Sequence, residues 1–200
     1  MKTDLHFWVT ILARGFLALL TGSAILIVPD MARTLLLLPL ALAIAITGLA
    51  FYGVVDSTLI FVASFMAASK RASVAMRLQG VVGVAVGVLL LSVVYNRVRL
   101  EWFLTLAAVQ AFSAGVAEIV VARHAANRGL SAWNYAAAGI ALVFACLYVV
   151  LRVGWADSLT PRALSWSLYA YLVAFGIAQC ITAARMIYAD ERAITNARQV

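Results

Sequence analysis

ARGFLALLTGSAILIVPD, residues Ala13–Asp30, is the stretch of sequence that decides the fold. Its only charged residues are Arg14 and the last residue, and its two glycines, Gly15 and Gly22, lie seven residues apart. Pro29 and the aspartate after it predict a turn at the end of the run. Together with the apolar residues before it, this stretch is long enough to cross a membrane, since about 20 apolar residues span a bilayer core of roughly 30 Å.

A related pattern returns twice later in the chain. In the second copy, LQGVVGVAVGVLLLSVVYN, Gly80 and Gly87 keep the seven-residue spacing, and the third copy, WNYAAAGIALVFACLYVVLR, has Gly139 alone at the matching place. The step from Gly15 to Gly80 is 65 residues and the step from Gly80 to Gly139 is 59, and a second apolar stretch follows each copy. A recurrence of this kind predicts a repeated unit, here a hairpin of two membrane helices used three times.

The composition agrees with a membrane protein. Of the 200 residues, 66% are hydrophobic and only 12% are charged, and the mean hydropathy is +1.03; soluble domains carry about 25% charged residues. Six spans with short loops take up nearly the whole chain. The sequence therefore predicts an all-α integral membrane protein with a single transmembrane domain over residues 1–200, hairpins at about 7–66, 74–122 and 133–184, and a charged cytoplasmic tail at 185–200.

The basic residues predict the orientation of the spans. The net charge of +7 is compatible with nucleic-acid binding, but the 15 Lys and Arg residues lie at the ends of the apolar runs rather than in one patch, as is usual at membrane flanks. Ten of them fall on the side of the N-terminus and five on the other side. We expect both termini to be cytoplasmic, with lipid and no nucleic acid as partner.

The glycines predict close contacts between helices. Helix association in lipid depends on small residues that let two backbones approach, as in small-xxx-small pairs. Gly83 and Gly87 form such a pair. Packing within each hairpin is the favoured interpretation, and dimerisation or contact with another membrane protein is the alternative. The residues assigned to helix packing are Gly15, Gly22, Gly80, Gly83, Gly87, Gly115, Gly139 and Gly176.

Arg14 and Asp56 are ionisable residues inside predicted spans, which makes them candidates for function. Arg14 lies about seven residues, or roughly 10 Å, in from the cytoplasmic edge, and Asp56 lies somewhat deeper from the same edge in the second span. A buried charge is costly unless it is paired. The favoured interpretation is a structural Arg14–Asp56 ion pair, and a proton-carrying Asp56 is the alternative.

Glu118 lies nearer the cytoplasmic end of the fourth span. Arg77 has a similar depth in the third span, so an Arg77–Glu118 pair is predicted for the second hairpin, with Arg123 and His124 also within reach of a snorkelling Glu118. Gln179 takes the place of Glu118 in the third copy, which argues against a ring of three acids.

No pattern typical of an enzyme or a metal site is present in the sequence. His6 and His124 are more than a hundred residues apart and have no cluster of ligands beside them. The chain contains neither a nucleophile elbow nor an HExxH motif. Cys146 and Cys180 fall at different depths of their spans, so a disulfide is not expected. The sequence predicts no enzymatic activity and no cofactor.

Four residues of the first helix, Arg14, Gly15, Gly22 and Pro29, carry a resemblance to a known family. A companion pattern occupies the second helix of each hairpin: YGVVDSTLIF at Tyr52–Phe61, AFSAGVAEIVVA at Ala111–Ala122 and AYLVAFGIAQCITA at Ala170–Ala183. On these residues the chain resembles the HdeD-like family of acid-resistance membrane proteins over almost its whole length.

The resemblance implies six spans in the inner membrane, a role in the stress response and no established catalytic residue. Gln79 and Ala138 stand where the counterparts of Arg14 would be. Three hypotheses for function stay open: a non-catalytic protein of acid or envelope stress resistance, a small proton-coupled transporter or channel that uses Asp56, and an assembly subunit of a larger membrane complex. The first two differ in whether Asp56 is paired or faces a water-filled path.

Overall fold

A computed structural model describes residues 3–34, 38–67, 69–95, 100–124, 128–155 and 160–197. These residues form six α-helices and no strand, and each helix contains a segment long and apolar enough to cross a membrane. The prediction of an all-α protein with six spans is confirmed. The helices are α1 Thr3–Thr34, α2 Leu38–Ala63, α3 Lys70–Tyr95, α4 Leu100–His124, α5 Arg128–Gly154 and α6 Pro161–Ala197, and a short 3-10 turn at Ser64–Met66 follows α2.

Two helices are longer than the sequence predicts. α1 continues through Pro29 to Thr34, so the predicted turn at that proline is wrong. A proline inside a helix removes one backbone hydrogen bond, and helices that cross membranes tolerate it. α6 continues through the charged residues that follow its apolar part as far as Ala197. That part of the predicted tail is rich in Ala, Arg, Met and Glu, which are strong helix formers. Several polar residues of the predicted loops and termini lie outside the described residues: Lys2, Arg97, Arg99, Asp157 and Arg198.

The six helices close into a ring. Each helix packs against the next one in the chain, and α6 packs against α1. The most extensive packing joins α4 to α5, α1 to α6 and α2 to α3, whereas the partners within each predicted hairpin pack less extensively. The structure therefore does not confirm the three hairpins as the units of packing. The closest contacts lie between consecutive hairpins.

The glycines of α1 and α6 show how these close contacts form. A Cβ placed on Gly15 would lie 2.6 Å from the Cys180 sulfur, and one placed on Gly176 would lie 2.9 Å from the backbone oxygen of Gly15. Seven residues further along α1, Gly22 lies against Leu172 of α6, so the two helices run antiparallel. Side chains larger than hydrogen would force their backbones apart. The contact joins the first helix of the chain to the last and closes the ring.

Close backbone contacts at glycines also join α3 to α2. A Cβ on Gly80 would lie 2.9 Å from the backbone oxygen of Ser57, one on Gly87 would lie 3.0 Å from that of Ala50, and one on Gly83 would overlap the Ser57 side chain. These glycines were predicted to pack within the second hairpin. The structure instead packs Gly80 and Gly87 against the hairpin before it, while Gly83 meets both that hairpin and Gln110 of α4. Glycine spacing identifies a contact face, but it does not identify the helix that the face meets.

Gly115 and Gly139 contrast with each other. A Cβ on Gly115 would lie 3.2 Å from the backbone oxygen of Ala138, which places α4 directly on α5. A Cβ on Gly139 would meet none of the described residues within 4 Å, because this glycine lies on the exposed face of α5. The assignment of Gly139 to a packing contact is therefore wrong for this chain.

Hydrophobic side chains cover the outside of the ring as well as its interior. Leu20, Val143 and Val153 are 68, 66 and 81% exposed, and they lie on two different segments predicted to cross a membrane, Leu20 on the first and the two valines on the fifth. Water would make such an exterior unfavourable, whereas lipid tails are as apolar as leucine. The outer surface and the six spans together describe a multi-pass membrane protein.

Gly80 and Gly139 occupy matching places in two repeats and form a controlled pair for testing the glycine contacts. Gly80→Val should lower the free energy of unfolding in detergent by about 1–3 kcal/mol, the usual cost of overpacking, because the added methyl groups meet the backbone of α2. Gly139→Val, which carries the same change in helix propensity, should stay close to the wild type. Thermal unfolding followed by circular dichroism measures the stability of both variants. An equal loss of stability in the two variants would contradict the contact between Gly80 and α2.

Candidate functional site

The centre of the ring contains a buried ion pair between Arg14 of α1 and Asp56 of α2. The Arg14 Nε donates to Asp56 Oδ1 at 2.8 Å, and Nη2 donates to Oδ2 at 3.3 Å. Both residues are 3% exposed. This two-point contact is the planar geometry in which guanidinium binds carboxylate most strongly. The contact predicted from the depths of the two residues is present.

Glu118 of α4 and Gln179 of α6 complete the cluster. Arg14 Nη1 donates to Glu118 Oε1 at 3.3 Å, and Gln179 Nε2 donates to the same oxygen at 2.7 Å. Glu118 is 5% exposed and Gln179 1%. One side chain from α1 is therefore surrounded by polar side chains from α2, α4 and α6. We call these four residues, Arg14, Asp56, Glu118 and Gln179, the polar cluster.

The predicted Arg77–Glu118 pair is wrong. Arg77 donates its Nε to Ser64 Oγ at 3.3 Å, and its guanidinium lies 4.5 Å from the centre of the Phe65 ring. Residues three apart on a helix share a face, and Arg77 precedes Gly80 by three, so it faces the α2 side, as Gly80 does. Similar depth in two helices was the basis of the prediction, but depth alone does not fix the direction of a side chain.

Gln179 is the member of the cluster that the sequence analysis did not assign to the site. Asp56, Glu118 and Gln179 are spaced by 62 and 61 residues, and each follows a glycine by three positions, at Gly53, Gly115 and Gly176. The pattern Gly-x-x-(Asp, Glu or Gln) in the second helix of each repeat could therefore have identified all three. Because the repeats are arranged around the ring, these equivalent positions meet at its centre.

The charges of the polar cluster do not balance when both carboxyl groups are ionised. One guanidinium then faces two carboxylates, and among the described residues no other basic side chain forms an ion pair with either of them. An uncompensated charge in a low-dielectric interior costs several kcal/mol. Binding one proton makes the cluster neutral. The arrangement can therefore hold and release a proton while Arg14 keeps at least one ionised partner.

A small cavity of about 40 Å³ adjoins Asp56. Aromatic side chains form much of its wall, with Tyr52, Tyr148, Tyr171 and Phe175 among them. A water molecule needs roughly 10–15 Å³ of such space, so the cavity has room for two or three. Sites for substrates are several hundred Å³ in size. The cavity can hydrate Asp56, but it is too small for an organic substrate.

The described part of the chain contains no group of three or more His, Cys, Asp or Glu side chains that could hold a metal ion. Cys146 and Cys180 are free thiols on α5 and α6. The side chain of His6 lies outside the described side chains. The absence of enzymatic activity and of a cofactor stays a prediction.

Comparisons of the chain with protein-family models, with curated proteins and with solved structures find no match. The fold and the cluster thus define its class, a six-helix membrane protein with a buried polar centre.

Charge balance predicts an unusual order of stabilities for variants of the cluster. Asp56→Asn and Glu118→Gln each leave Arg14 with one carboxylate, so each should destabilise the protein only modestly. The double variant leaves the guanidinium without a counter-ion and should cost about 3–5 kcal/mol, as for other broken buried pairs, which is more than the sum of the single changes. Chemical unfolding in detergent at neutral pH measures the free energy of unfolding of the wild type, the two single variants and the double variant.

Adding Arg14→Gln to the double variant should recover part of the loss, because no charge then remains in the cluster. Glu101→Gln serves as the control, since Glu101 is an exposed acid on α4. Additive effects of Asp56→Asn and Glu118→Gln would show that the two carboxyl groups do not share Arg14.

Proposed function

We propose that this chain is a non-catalytic protein of the bacterial inner membrane that contributes to resistance against acid or envelope stress. The ion pair between Arg14 and Asp56 carries the proposal, because it separates the two main hypotheses. A transporter needs a carboxyl group on a water-filled path, whereas a static membrane protein needs its buried charges paired. Asp56 has both oxygens bonded to Arg14.

The resemblance to the HdeD-like family supports the same proposal. Two of the residues that carry it, Arg14 and Gly15, lie next to each other at the centre of the structure, one in the polar cluster and the other in the contact that closes the ring. The second-helix patterns contain Asp56, Glu118 and Gln179. The resemblance thus rests on residues that join four of the six helices, α1, α2, α4 and α6.

A proton-coupled transporter is the second candidate, and one observation favours it. Two carboxyl groups share one guanidinium, and one of them, Asp56, also lines the central cavity. A proton could therefore reach Asp56 through water if the cavity joined with either side of the membrane during a working cycle.

Liposomes that contain the purified protein distinguish the two candidates. We expect no ion or solute flux driven by a pH gradient, because the Arg14–Asp56 pair and the small cavity leave no continuous path. Deletion of the gene from its native bacterium should lower survival after an acid challenge, and the wild-type gene should restore it. Robust flux that Asp56→Asn abolishes, in a protein that still folds, would overturn the proposal in favour of the transporter.

The proposed orientation has a separate test. In a variant without Cys146 and Cys180, a cysteine in place of Arg71 should be protected from a membrane-impermeant thiol reagent added to intact cells, and one in place of Arg162 should be labelled. Both sites should react after the cells are permeabilised. The reverse pattern in intact cells would place the termini on the outer side.

A further inference from the structure

A groove of about 1040 Å³ runs between α3 and α4 on the outside of the ring. Its walls are formed mainly by apolar side chains, among them Val74, Leu78, Phe112 and Val116. Three of these four are large hydrophobic residues on the outer surface that are 48 to 62% exposed, and Val116 is 41% exposed. The helices on either side belong to one of the less extensive contacts of the ring, which leaves the space between them open.

One end of this groove is basic. Lys70 and Arg71 in the first turn of α3, and Arg123 and His124 in the last turn of α4, line that end. None of the described residues that line the groove is acidic. Three fixed positive charges therefore face one opening with no carboxylate to neutralise them there. This end coincides with the boundary of the two predicted spans, where the headgroups of a bilayer lie.

Gln79 supplies a second, independent observation. It lines the groove, it is 2% exposed, and neither its side-chain oxygen nor its nitrogen has a hydrogen-bond partner among the described residues. A buried polar group without a partner costs roughly 1–3 kcal/mol. Side chains in a helix lean towards its N-terminus, which in α3 is the basic end of the groove. Gln79 is thus a polar residue of the groove wall whose amide hydrogen bonds the described residues do not supply.

We propose that this groove binds an acidic glycerophospholipid. The phosphate of the headgroup lies among Lys70, Arg71 and Arg123, the acyl chains lie along the apolar walls, and the Gln79 amide donates to an oxygen of the glycerol-ester region. A soluble anion would make no contact with the apolar walls, and a zwitterionic lipid would bring a cation to the basic residues together with its phosphate. The inference goes beyond the proposed function and does not depend on it.

The length of the groove fits this ligand. Its lining on α4 extends from His124 back to Val109, which is about 22 Å at 1.5 Å per residue. A single acyl chain covers about half of a bilayer core of roughly 30 Å. A second apolar groove of about 500 Å³, between α4 and α5, shares Val109 and Phe112 with the first. The two grooves together can seat both chains of one lipid.

Native mass spectrometry of the full chain in detergent tests the proposal with phosphatidylglycerol and phosphatidylcholine of identical acyl chains. The three basic residues together should make phosphatidylglycerol bind roughly 100-fold more tightly than phosphatidylcholine. The combined variant Lys70→Gln, Arg71→Gln, Arg123→Gln should lose this preference. The control Arg152→Gln, Arg162→Gln, which removes exposed arginines outside the groove, should keep it.

A second pair of variants tests the apolar walls without changing charge. Val116→Trp should fill the groove and weaken binding of both lipids, whereas Val143→Trp, at an exposed valine that lines neither groove, should not. Equal affinity for the two lipids, or a preference that survives loss of the three basic residues, would overturn the proposal. So would equal effects of the two tryptophan substitutions on lipid binding.

A photo-crosslinker at Val116 should form a lipid adduct in membranes. A protein adduct in its place would overturn the proposal and assign the groove to a partner helix.

Discussion

A guanidinium buried among helices has to be neutralised by the helices around it, and in this protein that requirement falls on Arg14. Its three nitrogens donate to Asp56 and Glu118, while Gln179 donates to the same Glu118 oxygen. The partners come from α2, α4 and α6, the second helices of the three repeats. One cation thus fixes the rotation of three helices, since turning any of them would bury an unpaired polar group.

These contacts depend on how closely the helices approach one another. The polar side chains can meet at the centre only if the ring is narrow, and the ring is narrow because backbones touch at Gly15, Gly80, Gly115 and Gly176. Three residues separate Gly115 from Glu118, and three separate Gly176 from Gln179. Each of these helices therefore brings its close-packing glycine and its polar residue to neighbouring turns. The glycine contacts and the polar cluster support each other.

Most of the fold could be predicted from the sequence, because the number and place of the spans follow from apolar runs that are long enough to cross a bilayer. The Arg14–Asp56 contact could also be predicted, since few charges are available at that depth. The remaining partners could not. Glu118 was placed by its depth beside Arg77, although a residue's face on its helix decides which neighbour it meets. Gly139 shows the same limit, because a small residue in a repeat marks a contact only where another helix lies against it.

The repeat is least exact at the centre, and this has a physical consequence. Arg14 has Gln79 and Ala138 at the matching places of the other first helices, while the second helices present Asp56, Glu118 and Gln179. Three copies of an Arg–Asp pair would have no net charge without any bound proton. One arginine and two acids have no net charge only when one of the acids binds a proton. Loss of the repeated charges therefore turns a structural ion pair into a site whose charge depends on a bound proton. The same guanidinium that joins the helices therefore also decides how many carboxylates the cluster can pair.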